Sequence, residues 1–308
     1  MPQWTAEHAV SRELAAELLE EQFPELFESS ESSLTQVEWF GEGWDNVAFC
    51  VNEKFVFRFP RRKLGVECME WEIQITPHFA DLLPTPITAA RFLGKPSPAF
   101  PWPFAGYRKL DGQTACRADL NDAQRIALAA PLAEFLSALH SIDAEQALAW
   151  GAPTDVIGRL NREHRLRQGI EYYHELQQLG AIPDAGPWIE ALCQAAETRD
   201  PQARCLTHGD LYSRHLLTDG TTLTGVIDWG DVHVGDPAVD LAIVWSFLPP
   251  EGRRIFEEIY GAIDEPTAQL ARMRALNHTA IVAVYSYREN EQALLRESLS
   301  ALNRLRFA

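Results

Sequence analysis

The sequence contains no long apolar run. No segment approaches the ~18 consecutive apolar residues that a membrane-spanning helix needs. The first residues, Met1–Glu7, carry neither the basic stretch nor the apolar core of a secretory signal. We therefore expect a cytoplasmic protein that has no membrane partner.

Cysteine is scarce, and its spacing is irregular. The cysteines are odd in number and form no C-x-x-C pair: Cys50, Cys68, Cys116, Cys193 and Cys205. This pattern excludes both a disulfide framework and a cysteine-type zinc site. We expect reduced thiols, most of them buried.

Basic residues are also in deficit. The chain has 27 lysines and arginines against 44 acidic residues, a formal net charge of −17. The excess is spread over the chain, at −7 for residues 1–112 and −10 for residues 113–308. Such a surface repels nucleic acid, so we expect no nucleic-acid partner. The acidity is most simply explained by solubility, and a cationic small-molecule partner is the alternative.

The chain has 308 residues, a length that allows two domains or one bilobal unit. The predicted secondary structure changes near residue 110. A helix over 11–28, strands within 35–59, a helix over 66–79 and a strand at 104–110 form a small β-rich lobe. The later segments are mainly helical, over about 121–141, 155–179, 186–199, 238–247, 251–262, 265–286 and 288–304. A hairpin around Asp219-Gly220 interrupts them. We predict an α+β fold with an N-terminal lobe (1–107), a hinge (108–112) and a helical C-terminal lobe (113–308).

Two carboxylates flank the predicted hairpin. Asp210 follows His208-Gly209, and Asp228 lies eighteen residues further on. Phosphoryl transfer to an alcohol uses one carboxylate to orient and deprotonate the hydroxyl and another to hold the Mg²⁺ that bridges the nucleotide phosphates. Either aspartate alone is most simply a turn or cap residue. The pair, with a β-rich lobe upstream, favours a kinase-type site.

The motifs around these aspartates resemble the aminoglycoside phosphotransferase family, small-molecule kinases that share the protein-kinase fold. The resemblance rests on His208-Gly209-Asp210, on Ile227-Asp228-Trp229 and on the segment from Gly235 to Ala242, and it extends over essentially the whole chain. It implies a protein-kinase-like bilobal fold and an Mg²⁺-dependent transfer of phosphate from ATP or GTP to a hydroxyl. Asp210 would then be the catalytic base and Asp228 the main metal ligand.

The catalytic loop departs from the family at one position. His215 stands where the family has an asparagine that binds the metal. Mg²⁺ prefers oxygen ligands, and imidazole is a poorer one. His215 is therefore a candidate second ligand, with action through water, contact with phosphate and simple packing as alternatives.

The N-terminal lobe carries a short glycine motif between two predicted strands. Gly41, Gly43 and Asn46 occupy the three positions of G-x-G-x-x-G, a pattern that cradles phosphate but also occurs in simple turns. The next strand alternates, which places Val56 and Arg58 on one face. We expect Val56 to line the nucleotide-base pocket and Arg58 to reach the phosphates in place of the family's lysine.

A glutamate and a hinge complete the expected nucleotide site. The resemblance identifies Glu72 as the helix residue that pairs with Arg58. The segment from Phe104 to Leu110 resembles the hinge that binds the base through its backbone, which implicates Arg108 and Leu110. Backbone recognition does not distinguish ATP from GTP.

The acceptor is expected to be a small, amine-bearing alcohol. Asp231 and Glu289 are candidate ligands for its amine, although each is also a plausible solvated acid. Arg58 and His215, with the run from Phe57 to Arg62, also resemble the macrolide-kinase branch of the family. The acceptor could thus be an aminoglycoside, a macrolide or a related metabolite. The alternative function is a nucleotide-binding pseudokinase or interaction module without transferase activity.

Overall fold

The structure, a computed structural model, describes residues 6–28 and 36–306. Within these residues the chain forms two compact units. The first contains the described residues up to Asp81, with Ile87–Leu110 and Asp228–Asp231, and the second contains Leu82–Pro86, Asp111–Ile227 and the residues from Val232 onward. Residues 108–110 and 228–231 therefore group with the first unit.

The first unit is built on a five-stranded antiparallel sheet in the order β1-β2-β3-β5-β4. Its helices and strands, in chain order, are α1 (Arg12–Gln22), α2 (Glu25–Glu28), β1 (Val37–Glu42), β2 (Asn46–Val51), β3 (Phe55–Pro60), α3 (Lys63–Phe79), β4 (Ala90–Gly94) and β5 (Phe104–Arg108).

The central strand β3 has the alternation that its sequence predicts. Phe57 and Phe59 are fully buried, and the Phe59 ring stacks on Phe104 at 4.5 Å between centroids. Burying an aromatic side chain of this kind contributes about 1.5–3 kcal/mol. Arg58, between the two phenylalanines, lies on the opposite face of the sheet. The apolar face thus anchors the strand while the other face presents the arginine.

The predicted helix over 11–28 is wrong in its length. Ser11 caps α1 by accepting a hydrogen bond from the Leu14 amide, but the helix ends at Gln22. Pro24 lacks the amide hydrogen that a continuing helix would need. The chain turns there, and Phe23 packs against the sheet beside Phe57 and Phe92.

The second unit is mainly helical and carries two small sheets, β6-β8-β9 and β7-β10. Its helices and strands are β6 (Gln113–Thr114), α4 (Asp122–Ala127), α5 (Ala129–His140), α6 (Ala144–Ala149), α7 (Arg162–Gln178), α8 (Gly186–Ala196), β7 (Cys205–Thr207), β8 (Leu216–Thr218), β9 (Leu223–Val226), β10 (His233–Gly235), α9 (Ala238–Phe247), α10 (Pro250–Tyr260), α11 (Glu265–Arg288) and α12 (Gln292–Arg306). The predicted hairpin is confirmed as β8–β9, with Gly220 in the left-handed conformation at its turn (φ +94°).

Two predicted helices of this unit differ from those observed. The helix over 121–141 is divided into α4 and α5, because Pro131 has no amide to bond the carbonyl of Ala127. The helix over 155–179 begins only at Arg162. Gly158 is left-handed there (φ +60°), and the side chain of Asn161 caps α7 by accepting from the His164 amide.

The long helix α11 lies in the centre of the second unit. It packs against α7, α8, α9 and α12, and most of its residues are buried. Polar side chains nevertheless interrupt its buried surface, among them Arg274 and Asn277. Within residues 6–28 and 36–306, no helix combines the length and apolarity needed to cross a membrane.

Candidate active site

The loop that follows β7 is held by a buried carboxylate. Asp240 on α9 accepts hydrogen bonds from the backbone amides of His208 (2.7 Å) and Gly209 (2.9 Å). His208 is itself buried, and its Nε2 donates to the carbonyl of Ile227 at 3.0 Å. Gly209 is left-handed (φ +86°), a conformation that glycine adopts without strain, and the chain turns there immediately before Asp210.

Asp240 is kept ionised by its neighbours. Burial raises the pKa of its carboxyl, but the His140 ring bonded to it at 3.2 Å and the loop amides lower the pKa below its ordinary value. His140 is in turn bonded to the Tyr260 hydroxyl at 2.8 Å. The backbone of the loop from His208 to Asp210 is therefore tied to a buried, charged network.

The Asp210 carboxylate is bound on one of its two oxygens. Oδ1 accepts from Nε2 of His278 at 3.0 Å and from Nη2 of Arg274 at 3.3 Å. Nδ1 of His215 lies 3.8 Å from Oδ2. Burial raises the pKa of Asp210, yet His278, His215 and Arg274 together lower it well below its usual range. The carboxylate is thus ionised at any physiological pH.

His215 has a defined proton arrangement. Its Nδ1 lies 2.8 Å from the backbone carbonyl of Asp210, and a carbonyl only accepts, so Nδ1 carries the proton. In the neutral ring Nε2 then presents a lone pair. A histidine that donates one nitrogen to a carbonyl and offers the other is the arrangement that metal-ligating histidines adopt.

In the first unit, Arg58 joins two acidic residues. Its Nη1 donates to Glu72 on α3 at 2.8 Å, and its Nη2 donates to Asp228 at 2.6 Å. The guanidinium also lies 5.6 Å from the centroid of the Tyr107 ring. The predicted pairing of Arg58 with Glu72 is present. Asp228 has a left-handed backbone (φ +67°), and 44% of its side chain is exposed.

Glu72 is fully buried, and this changes its acidity. Burial raises the pKa of its carboxyl to about 7, although Arg58 opposes the shift. Among the described residues, Oε1 of Glu72 has no hydrogen-bond partner. Arg58 therefore contacts two carboxylates, the buried one of Glu72, which is costly to ionise, and the partly exposed one of Asp228.

The glycine turn between β1 and β2 is braced by two arginines. The Gly43 amide bonds the carbonyl of Asn46 at 2.9 Å, and Nη1 of Arg61 donates to the Gly43 carbonyl at 2.8 Å. Arg62 pairs with Asp45 inside the same turn. A Cβ added at Gly41 would meet nothing within 4 Å. The protein's own packing therefore does not require this glycine.

The remaining predicted site residues are dispersed over the two units. Val56 on β3 pairs with Tyr107, and Arg108 is the exposed last residue of β5. Leu110 follows in the first unit, half-buried, and Asp231 ends the short 3₁₀ turn Trp229–Asp231. Glu289 is an exposed residue that caps the C-terminus of α11 in the second unit.

Sequence motifs did not identify the two side chains that bind Asp210. Arg274 and His278 lie four residues apart on α11, so they occupy one face of the helix. Their only sequence signal is a pair of basic residues at this spacing in a segment otherwise rich in small and apolar residues. Arg61 and Arg62 were noted for their resemblance to the macrolide kinases, not for the turn that they brace.

Kinases that phosphorylate an alcohol use an ionised aspartate to orient and deprotonate the hydroxyl. The fold and this loop define a phosphotransferase with an alcohol acceptor. The APH family model, described as the phosphotransferase enzyme family, matches residues 36–276, and the chain belongs to this family.

Three known proteins illustrate the similarity. Viomycin phosphotransferase of Streptomyces vinaceus is 33% identical over 101 residues, which are 31% of this chain and only 34% of that enzyme. The GDP and kanamycin complex of APH(2")-IIia is 26% identical, with a TM-score of 0.66, over 94% of this chain and 97% of that one. The macrolide 2'-phosphotransferase apoenzyme from Brachybacterium faecium is 22% identical, with a TM-score of 0.58, over 87% and 91% of the two chains. At that identity it shows the fold alone. The predicted α+β, kinase-like fold class is confirmed.

Proposed function

We propose that this protein is a cytoplasmic kinase that transfers the γ-phosphoryl group of ATP or GTP to a hydroxyl of a small, amine-bearing molecule. The observation that carries the proposal is the state of Asp210, an ionised carboxylate with one oxygen bound and the other accepting no hydrogen bond from the described residues. A carboxylate in this state orients a hydroxyl and takes its proton.

Asp210 and the nucleotide supply a balanced reaction. Oδ2 of Asp210 accepts the proton of the acceptor hydroxyl, and the acceptor oxygen forms a bond to the γ-phosphorus. The bond between that phosphorus and the bridging oxygen breaks, and the nucleoside diphosphate leaves with the electron pair. Asp210 then returns its proton to solvent, so the aspartate is regenerated.

Residues of the first unit are suited to the nucleotide. Arg58 places a permanent charge on the face of β3 opposite the phenylalanine core, and Gly41 leaves open space in which a phosphate oxygen can approach the backbone. The backbone of Leu110, which makes no hydrogen bond to the described residues, is available to a nucleotide base. A relative of this fold binds GDP, which supports nucleotide binding by this chain.

The residues present fit a magnesium ion. Among the described residues, no three histidine, cysteine or acidic side chains form a metal cluster. Mg²⁺ needs no such cluster, since it is usually held by one or two carboxylates together with water and substrate phosphates. Asp228 would hold it through its half-exposed carboxylate. His215 is the candidate second ligand because of its position in the family motif. The bound ion would neutralise charge on the transferred phosphoryl group.

We infer an amine-bearing acceptor from the relatives and from charge. One relative is named for viomycin, and another was solved in complex with kanamycin. The net charge of −17 also attracts cations. Arg274 places a positive charge beside Asp210, so we expect the amine to lie away from the reacting hydroxyl. Asp231 and Glu289 are the candidate ligands for it.

The decisive experiment measures phosphate transfer to a panel of acceptors. Aminoglycosides including kanamycin, viomycin, macrolides, choline-like alcohols and neutral sugars are incubated with Mg²⁺ and either ATP or GTP, and products are detected by mass spectrometry. We expect one amine-bearing class to be phosphorylated, with a kcat/KM that falls as salt rises because screening weakens the attraction.

The matched variant is Asp210→Ala. We expect it to lose transfer by about 10³-fold, within the range for a general base, while nucleotide affinity stays within about threefold of wild type. Undiminished transfer by Asp210→Ala would remove its assignment as the base. Nucleotide binding without transfer to any acceptor would instead indicate a pseudokinase.

A further inference from the structure

The side chain that orients Asp210 comes from outside the catalytic loop. His278 lies on α11, and its Nε2 is 3.0 Å from Oδ1 of Asp210. Arg274, one turn earlier on the same helix, approaches the same oxygen at 3.3 Å and the Gly209 carbonyl at 3.4 Å. An aspartate that has lost its proton only accepts, so Nε2 of His278 is the donor.

This contact distinguishes the two oxygens of the carboxylate. Oδ1 is within hydrogen-bond distance of both Arg274 and His278, whereas Oδ2 accepts no hydrogen bond from the described residues, and Nδ1 of His215 lies 3.8 Å from it. A carboxylate bonded through one oxygen to a rigid element cannot rotate freely about its own axis. The oxygen left over is then presented in a fixed direction.

The His278 ring is itself held in place. Tyr212 meets it edge to face at 5.0 Å between centroids, and the same Tyr212 ring meets that of His215 at 4.5 Å. Only 16% of the His278 side chain is exposed. Since α11 is packed on α7, α9 and α12, its backbone does not move independently of the unit's core.

We infer that His278 is a positioning residue for Asp210, and that it leaves Oδ2 as the oxygen that receives the acceptor's proton. The ring suits this task better than a second arginine. Burial and the nearby Arg274 lower the pKa of His278, so it donates as a neutral group and does not add another full charge beside the base. The kinetic part of this inference rests on the proposed function.

The test compares two replacements of similar size. His278→Gln keeps a donor near the position of Nε2, and His278→Leu removes it. We expect kcat of the Leu variant to fall about 10- to 100-fold, the scale of a mispositioned catalytic group, with both KM values within about twofold of wild type. The Gln variant should recover to within about threefold of wild type. Thr279→Val, a buried change at the next position of α11, is the control for packing and should retain wild-type kcat.

A second measurement needs no acceptor. Long-range ¹H–¹⁵N NMR of the ligand-free protein should show the His278 ring protonated on Nε2, with the signals assigned by their loss in His278→Gln. A ring protonated only on Nδ1 would overturn the inference, as would an unchanged kcat in His278→Leu or equal losses in the Leu and Gln variants. If wild type phosphorylates no acceptor, the proposed function fails, and the tautomer alone decides whether His278 donates to Asp210.

Discussion

The two carboxylates to which we assign roles in the proposed reaction are held in different ways. Asp228 is bound by Arg58, a cation whose other arm binds a buried glutamate, and nearly half of the Asp228 side chain is exposed. Asp210 receives both of its side-chain donors from one buried helix and is 25% exposed. Arg58 thus links the first carboxylate to a buried acid, whereas two donors on one helix fix the orientation of the second.

This difference matches what each proposed role requires. A metal ligand must exchange partners, and Asp228 can do so because a bound cation replaces the charge that Arg58 supplies. A general base must keep its geometry through the reaction, and the donors on α11 are part of the packed core. Mutations should therefore act on charge in one unit and on orientation in the other.

The sharpest test of the role of charge at Asp228 is Asp228→Asn, which keeps the shape of the side chain and removes its charge. We expect kcat to fall about 100-fold or more, the scale of losing one electrostatic group, with activity demanding much more Mg²⁺. His215→Ala should cost less, about tenfold, because a nitrogen ligand contributes little to Mg²⁺ affinity. Initial rates over a Mg²⁺ titration measure both effects.

His215→Asn is the informative control for that ranking, since it restores the ligand usual in the family and should be tolerated. A larger loss in His215→Ala than in Asp228→Asn would reverse the ranking of the two ligands.

A smaller effect concerns stability and pH. The pKa of Glu72 is raised in the folded protein to about 7 from an ordinary 4.5, so the native state binds the extra proton. Protonation of Glu72 therefore stabilises the folded state at low pH. This stabilisation is lost as pH rises from 4.5 through 7, where the free energy of unfolding falls by on the order of 1 kcal/mol per pH unit. Glu72→Gln removes this dependence. Between pH 5 and 8 its melting temperature should decline less than that of wild type, as calorimetry would show. Parallel declines would contradict the raised pKa.

The smallest effect is expected at the glycine turn. Gly41→Ala should raise the KM for nucleotide about fivefold, close to 1 kcal/mol, while the melting temperature changes by less than about 2 °C. The added methyl group meets nothing in the protein itself. Gly65→Ala is the contrasting control, because its Cβ would lie 2.7 Å from the carbonyl oxygen of Asp45 and should destabilise the fold by about 2 kcal/mol. An unchanged nucleotide KM in Gly41→Ala would show that Gly41 does not take part in phosphate binding.

Local patterns in the sequence were sufficient for several parts of the fold. The alternation of β3 predicted which face carries Arg58, and the Asp-Gly turn predicted the β8–β9 hairpin. The pairing of Arg58 with Glu72 followed from the family resemblance and is present in the structure. The roles assigned to these residues in nucleotide and metal binding remain predictions.

Breaks in regular structure were harder to predict than the elements themselves. Helical periodicity continues past Pro24 and Pro131, although each proline removes a backbone hydrogen bond that the longer helix would need. The segment 155–161 has helical composition, but the left-handed Gly158 and the cap at Asn161 exclude it from α7. Short strands such as β7 and β10 have too few residues to show a period.

By itself, the sequence determined the class of this protein, its two differently patterned regions and the two aspartates proposed for its chemistry, because these are encoded within short stretches of chain. Only the tertiary structure decided what surrounds those aspartates. His278 lies 68 residues from Asp210, and Arg58 lies 170 residues from Asp228. No local period relates residues so far apart. Their contacts exist because packing of α11 and of the five-stranded sheet brings distant segments together.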